Sequence, residues 1–324
     1  MYIKLWYTGW GKNNTQIIND FNKAKEHGIS GINFQYRAET ITDILPFAQD
    51  MELQIWYVLL CQNNQKLKKE HPNWFMVSRE GKSTLDFPPY VNYYRWLCPS
   101  KTEVKRYLIS KIEELCQYPE ISGIHLDYVR YPDVILPNAI QPDYNLDQIQ
   151  EFPQFDFCYC DDCRRAFQTK HGIDPLKIEN PQNNADWLKF RYDNITDLVN
   201  QIKELVHSYN KKISAAVFPS TLLARTLVRQ DWQNWKLDEY YPMIYNNFYL
   251  EDENWISKIT RFNRSVLGDK QNVYSGIYLP EFAYDFNILK KIINSGANGI
   301  ALFEYNNITT ELWEDIKSFR QGSK

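Results

Sequence analysis

Short apolar runs recur along the chain, separated by stretches in which apolar residues return every three or four positions. Eight runs read as strands, over residues 3–9, 29–34, 53–59, 121–128, 213–218, 239–245, 273–279 and 299–305. A helical period predicts helices over 15–26, 41–50, 102–116, 185–209, 255–263, 286–294 and 310–319. Strand alternating with helix implies parallel pairing. Right-handed crossovers repeated through eight units close a barrel. Three phrases rhyme, each leading from a helix end into a strand: His27-Gly-Ile-Ser-Gly-Ile, Pro119-Glu-Ile-Ser-Gly-Ile and Ser295-Gly-Ala-Asn-Gly-Ile. The expected fold is α/β: a single (β/α)8 TIM barrel over residues 1–324 with long loops after strands three and four. Those loops, residues 62–100 and 132–184, leave the C-terminal face and are expected to wall a pocket.

The fourth strand carries the sharpest chemical signal. Gly123-Ile-His-Leu-Asp-Tyr-Val-Arg-Tyr-Pro132 is an apolar strand that ends in Asp127, Tyr128, Arg130 and Tyr131. Side chains alternate faces along a strand. Ile124, Leu126 and Tyr128 therefore share the face expected to meet helices, and His125 and Asp127 share the inner one. An acid at the C-terminal exit of a barrel strand stands where such barrels do chemistry.

Composition narrows the function. The 324 residues carry a net charge of −3 and no basic block, so nucleic acid is not an expected partner. The chain holds 10 Trp, 23 Tyr and 17 Phe, many beside polar residues at strand ends, such as Trp10, Tyr131 and Tyr245. Flat rings with polar tips suit the faces and hydroxyls of sugars. No apolar run is long enough to span a membrane. The N-terminal residues show no signal-peptide layout, leaving a cytoplasmic location or removal of a leader as the two expectations.

Motifs then follow in order along the chain. They are His71-Pro-Asn-Trp-Phe, Arg79-Glu-Gly-Lys, Pro88-Pro-Tyr-Val, Trp96-Leu-Cys-Pro-Ser and the strand-four motif through Asp133. After these come Ala215-Ala-Val-Phe-Pro, Val228-Arg-Gln-Asp-Trp, Trp235-Lys-Leu-Asp and Tyr241-Pro-Met-Ile-Tyr. Their order resembles the bacterial "family ten glycosylhydrolase" group, within the glycosyl-hydrolase-like superfamily, from about Trp6 to Trp313. The resemblance implies a (β/α)8 barrel and glycan hydrolysis, without identifying the sugar.

Glycoside hydrolysis commonly uses two carboxyl groups flanking the scissile bond. Asp127 is the first candidate. Asp231, Glu281 and Glu304 are candidates for its partner. Asp231 matches the group's Gln-Asp-Trp pattern, and it is equally placed to cap the helix holding Trp232 and Trp235. Parity along strand eight puts Glu304 with Ile300 and Leu302, on the helix-facing side, which places it in reserve. Asp238 is expected at the opposite, stability face. His125 is expected to be a satisfied core histidine, with orientation of Asp127 as the sharper role. Gln35 and Arg37 leave strand two with inward parity. With Trp10, Arg130, Tyr131, Arg229 and Tyr245 they form the expected substrate-binding set. Arg130, Arg225 and Arg229 together raise the expectation of an acidic or sulfated sugar.

The six cysteines all lie between residues 61 and 163. Cys158, Cys160 and Cys163 are spaced poorly for mutual disulfides and well for wrapping a tetrahedral zinc. Their spacing resembles the structural zinc cluster of some barrel β-galactosidases. Cys98 or Cys116 could supply a fourth ligand, and reduced thiols packed beneath the loop are the competing expectation. The five histidines show no His-x-His or His-Glu-x-x-His pairing, so no catalytic cofactor is expected. Three classes remain open: a glycoside hydrolase acting on a poly- or oligosaccharide, a carbohydrate-binding barrel that has lost catalysis, and a metal-dependent hydrolase.

Overall fold

A computed structural model describes residues 2–37, 41–48, 51–281 and 286–321. Eight parallel strands close into a barrel in sequence order. They are β1 (Tyr2–Tyr7), β2 (Gly31–Gln35), β3 (Glu52–Val58), β4 (Gly123–Asp127), β5 (Lys212–Val217), β6 (Glu239–Pro242), β7 (Asn272–Tyr278) and β8 (Gly299–Phe303). The helices among them are α1 (Asn14–His27), α2 (Ile41–Ile44), α3 (Gln65–Glu70), α4 (Thr102–Cys116), α5 (Asp161–His171), α6 (Ala185–Ser208), α7 (Thr221–Val228), α8 (Glu253–Leu267), α9 (Phe286–Asn294) and α10 (Thr310–Gln321). None of the described helices is long and apolar enough to cross a membrane.

All eight expected strands form, each within a few residues of its expected bounds. The differences have local causes. The helix expected over 41–50 shortens to α2 and a 3-10 turn, Leu45–Ala48, where Pro46 can donate no helical hydrogen bond. Strand six stops at Pro242 rather than residue 245, although Met243 N still donates to Val217 O. Three helices escape the periodic pattern, the first being the six-residue α3 in the loop after β3. The second is α7, only eight residues long, started by Ser220, whose hydroxyl accepts from Leu223 N. The third is α5, embedded in the long connection after β4.

Alternation sorts the barrel into two cores. Leu5, Ile32, Ile55, Ile124, Leu126, Ile213, Ile300 and Leu302 join the larger core beneath the helices. Trp6, Trp56, Ala216, Tyr241, Tyr274 and Ala301 form a separate cluster, with Met243 and Phe303 packed on it. This inner cluster plugs the barrel, so the interior is packed side chain rather than a pore.

Below the plug the interior is polar and largely hydrogen-bonded. Trp6 Nε1 donates to His125 Nε2 at 2.8 Å, which makes Nδ1 the protonated nitrogen facing Ser214 Oγ, also at 2.8 Å. Ser214 Oγ donates to Gln54 Oε1 at 2.5 Å, and Gln54 Nε2 donates to Glu239 at 2.8 Å. Lys212 pairs with Glu239 and Glu52, and Lys4 closes the base on Glu52 at 2.6 Å.

The shared glycine of the rhyming phrases has a steric cause. A Cβ on Gly123 would stand 2.3 Å from Lys212 O, and one on Gly299 would stand 2.1 Å from Tyr2 O. Neighbouring backbone runs too close at these strand starts for any side chain.

Candidate active site

The C-terminal ends of the strands open into a cavity of about 700 Å3. Both long loops wall it. Tyr90, Tyr93 and Tyr94 come from the first, and Asp133, Leu136 and Tyr144 from the second.

Asp127 ends β4 and faces this cavity, only 8 % exposed. Its Oδ2 accepts from Trp56 Nε1 at 2.9 Å and its Oδ1 from Tyr128 N at 2.6 Å. Burial raises its pKa, and the two donors and the Arg130 charge oppose that rise without cancelling it. The protonated form is therefore favoured relative to a solvated aspartate.

Tyr128 departs from the expected parity. The strand ends at Asp127, and Tyr128 takes a left-handed backbone with φ of 49°. That conformation is an outlier for a bulky residue. Its ring lines the cavity instead of meeting the helices.

Glu304 also lines the cavity, contrary to its expected helix-facing position. The period of two holds only while the strand lasts, and β8 ends at Phe303. Beyond it the peptide to Glu304 is cis. Glu304 Oε2 accepts from Thr8 Oγ1 at 2.8 Å, and Oε1 accepts from Asn306 Nδ2 at 2.8 Å. Strands β4 and β8 are four places apart either way round the closed barrel. The two carboxyl groups therefore enter the cavity from opposite walls.

Asp231 is not among the lining residues. It is buried in the loop after α7, with Oδ2 accepting from Asn234 Nδ2 at 2.7 Å and Oδ1 lying 3.1 Å from Arg225 Nε. It starts the 3-10 turn Trp232–Asn234 without a side-chain cap hydrogen bond, so its partners are Asn234 and Arg225. Glu281 ends a 3-10 turn after β7, and its side chain lies outside the described residues. Asp238 binds His207 and Ile213 N near the start of β5, away from the mouth. His125 does not orient Asp127: both its nitrogens are engaged below, by Trp6 and Ser214.

The expected substrate-binding residues divide. Trp10, Gln35, Arg130 and Tyr245 line the cavity. Trp10 is 69 % exposed at the rim. Gln35 Oε1 is buried and meets no hydrogen-bond partner among the described residues. Arg37 instead donates to Gly9 O at 3.0 Å and is not among the lining residues. Tyr131 is buried outside the cavity, beside the cysteines. Arg229 is buried as the left-handed C-cap of α7 and pairs with Glu151.

These pairings leave the expectation of an acidic sugar without a free arginine among the three to support it. Arg130 donates to Asp133 Oδ2 and Tyr131 O, both at 2.9 Å, and packs over Trp96, Tyr128 and Phe218. Arg225 and Arg229 face their own carboxylates elsewhere. Sequence reasoning missed Trp56, Thr8 and Asp133. Trp56 was legible, since Gln54 and Trp56 take the inward parity opposite Leu53, Ile55 and Tyr57.

A second cluster lies at the seam of the long loops. The Sγ atoms of Cys98, Cys158, Cys160 and Cys163 all fall within 4.8 Å of one another, and all four residues are buried. Cys116 is not in this cluster; burial pushes its thiol up to about 11.

A TIM barrel with paired acids in an aromatic cavity has the form of a glycosidase-like protein. The chain belongs to the glycosyl hydrolase-like 10 family, whose model matches residues 39–281. No curated protein matches it. Among solved structures, the PgaB (BpsB) glycoside hydrolase domain from Bordetella bronchiseptica superposes with a TM-score of 0.72 at 11 % identity, covering 98 % of this chain and 97 % of that one. The β-galactosidase from the psychrophilic Marinomonas ef1 gives 0.69 at 9 % identity, covering 100 % of this chain and 59 % of that one. The catalytic domain of β-amylase from Paenibacillus polymyxa gives 0.64 at 11 % identity, covering 99 % and 97 %. This chain thus spans less than two thirds of the Marinomonas enzyme, and at these identities the likeness is one of fold.

Proposed function

We propose that the protein is a glycoside hydrolase acting on a poly- or oligosaccharide, with Asp127 as proton donor and Glu304 as the opposing carboxylate. The observation that carries this reading is that the two acids enter one aromatic cavity from opposite walls. A glycosidic oxygen needs a proton as its bond breaks, and the cation-like sugar needs a negative group on the other side. Desolvation of Asp127 favours the protonated form that a donor requires. The donors Thr8 and Asn306 hold Glu304 in place.

Family membership supports the same chemistry, as do neighbours that are themselves a glycoside hydrolase domain, a β-galactosidase and a β-amylase. Trp10, Tyr93 and Tyr245 offer faces for sugar rings, and Gln35 offers a free acceptor for a hydroxyl. Arg130, the cation among the described lining residues, is already matched by Asp133, which favours a neutral glycan. Asp231 takes no part, because its partners lie outside the cavity.

A hydrolysis screen over a glycan panel, read as new reducing ends, tests this. Wild-type protein should cleave at least one glycan. Asp127→Asn and Glu304→Gln should each cut turnover by on the order of 10^3 or more while still binding it. Binding of a glycan with no cleavage by the wild type would instead make the barrel a carbohydrate-binding protein.

A further inference from the structure

We propose that Cys98, Cys158, Cys160 and Cys163 form a closed tetrahedral zinc site that fastens together the two loops walling the cavity. Cys98 Sγ lies 3.7 Å from Cys160 Sγ and 3.5 Å from Cys163 Sγ. Four sulfurs at the usual zinc–thiolate distance stand about 3.8 Å apart along each tetrahedral edge. None of the four is in a disulfide. Reduced thiols that merely fill a core have no reason to point four sulfurs at one centre.

The surroundings suit thiolate. Val77 N donates to Cys158 Sγ at 3.3 Å, and Ser100 Oγ stands 3.2 Å from Cys163 Sγ, where its hydroxyl can donate to a thiolate. Cys160 is the N-cap of α5 and Cys163 lies in its first turn, at the positive end of the helix. Lys101 lies close enough for the charges of Cys98 and Cys160 to act on it. A buried phenol also borders the cluster. Tyr131 is 1 % exposed, its hydroxyl has no partner among the described residues, and it sits within the field of Cys98, Cys158 and Cys163.

Binding exchanges four thiol protons for one Zn(II), and the protons go to solvent. The four-sulfur unit then carries a net charge of −2, faced by Lys101 and the α5 terminus. Four protein ligands leave no open position, so the metal is structural. It would sit where the loops already touch, through Tyr159 N to Val77 O and Arg79 N to Asp156 O. The first loop contributes Cys98 and the second the other three, and the same loops present Tyr90, Tyr93, Tyr94 and Tyr144 to the cavity.

The site stands independently of hydrolysis, and its test does not use activity. Elemental analysis of the full purified chain should find about one zinc per molecule and no stoichiometric iron. Cobalt exchange should produce thiolate-to-cobalt charge-transfer absorption. Cys160→Ser should lower the metal to under about a tenth of an atom per chain, and Cys116→Ser should leave it unchanged. Should Cys160→Ser fail to fold, chelation of the wild type gives the same information: four thiols should become reactive and proteolysis should begin within residues 62–100 or 132–184. Metal-free protein whose cysteines all titrate as free thiols would overturn the proposal. So would zinc retained at full occupancy in Cys160→Ser.

Discussion

Asp127 and Glu304 show how differently two carboxyl groups can be held in one cavity. Asp127 is desolvated, and its folded pKa lies above its unfolded value, about 3.9. Its contribution to stability is therefore fully present below about pH 3.9 and is lost as pH rises through the folded value. The same shift extends proton donation to higher pH, so kcat/KM should fall on the basic side as Asp127 ionises. A pH–rate profile checks this, and Glu304→Asp, if active, should retain that basic limb. His125 is the opposite case. Burial pushes it down to about 3, below an unfolded value of about 6.5. The unfolded chain then binds the extra proton, so folding stability should decline as pH falls from about 6.5 towards 3. Carbon-bound imidazole proton shifts of His125 that stay constant between pH 5 and 8 would agree; a midpoint near neutrality would not.

At the same scale, Asp231 separates a sequence pattern from a site. Asp231→Ala should leave turnover within a fewfold of wild type while costing on the order of 1–3 kcal/mol of stability, from the partners it abandons. Denaturant melts together with rates check both halves. Asp127 was legible because it lies within the regular strand, where alternation is a strict geometric consequence. Glu304 was kept only in reserve because the same period was carried one residue beyond β8, although the cavity holds it. Tyr131 and Arg229 were misassigned because an exit near the mouth does not say which way an irregular backbone turns.

Among the elements, the strands were the most legible because apolar runs bounded by turns directly reflect burial on both faces of a parallel sheet. The short α7 was not, since eight residues barely establish a helical period. The rhyming glycines were visible as a pattern, but the reason for them is a contact between strands that no single phrase contains. Gly123→Ala would drive a Cβ to 2.3 Å from the Lys212 carbonyl unless the strands part. It should destabilise the fold by at least about 1–3 kcal/mol, a cost typical of overpacking. An unchanged melting midpoint would show that β4 and β5 can separate without penalty.

For the whole molecule, the barrel supplies a rigid frame and the two long loops supply the enclosure. The inner aromatic plug and the polar base from Lys4 to His125 keep the lower barrel solid, so the cavity exists only above the strand ends. The acids come from the frame, while the tyrosine walls come from loops that meet at the cysteine seam. The acids and the enclosure are thus carried by separate parts. Removal of the proposed zinc should loosen substrate binding more than it alters the carboxyl pair, raising KM more than it lowers kcat. The central claim is that Asp127 delivers the proton and Glu304 acts from the opposite wall. Leaving-group dependence tests it most directly, using aryl glycosides of whichever sugar the screen identifies. Asp127→Asn should recover much of its lost rate on a leaving group that needs no protonation, whereas Glu304→Gln should stay impaired on every leaving group. Equal impairment of Asp127→Asn on good and poor leaving groups would contradict the account.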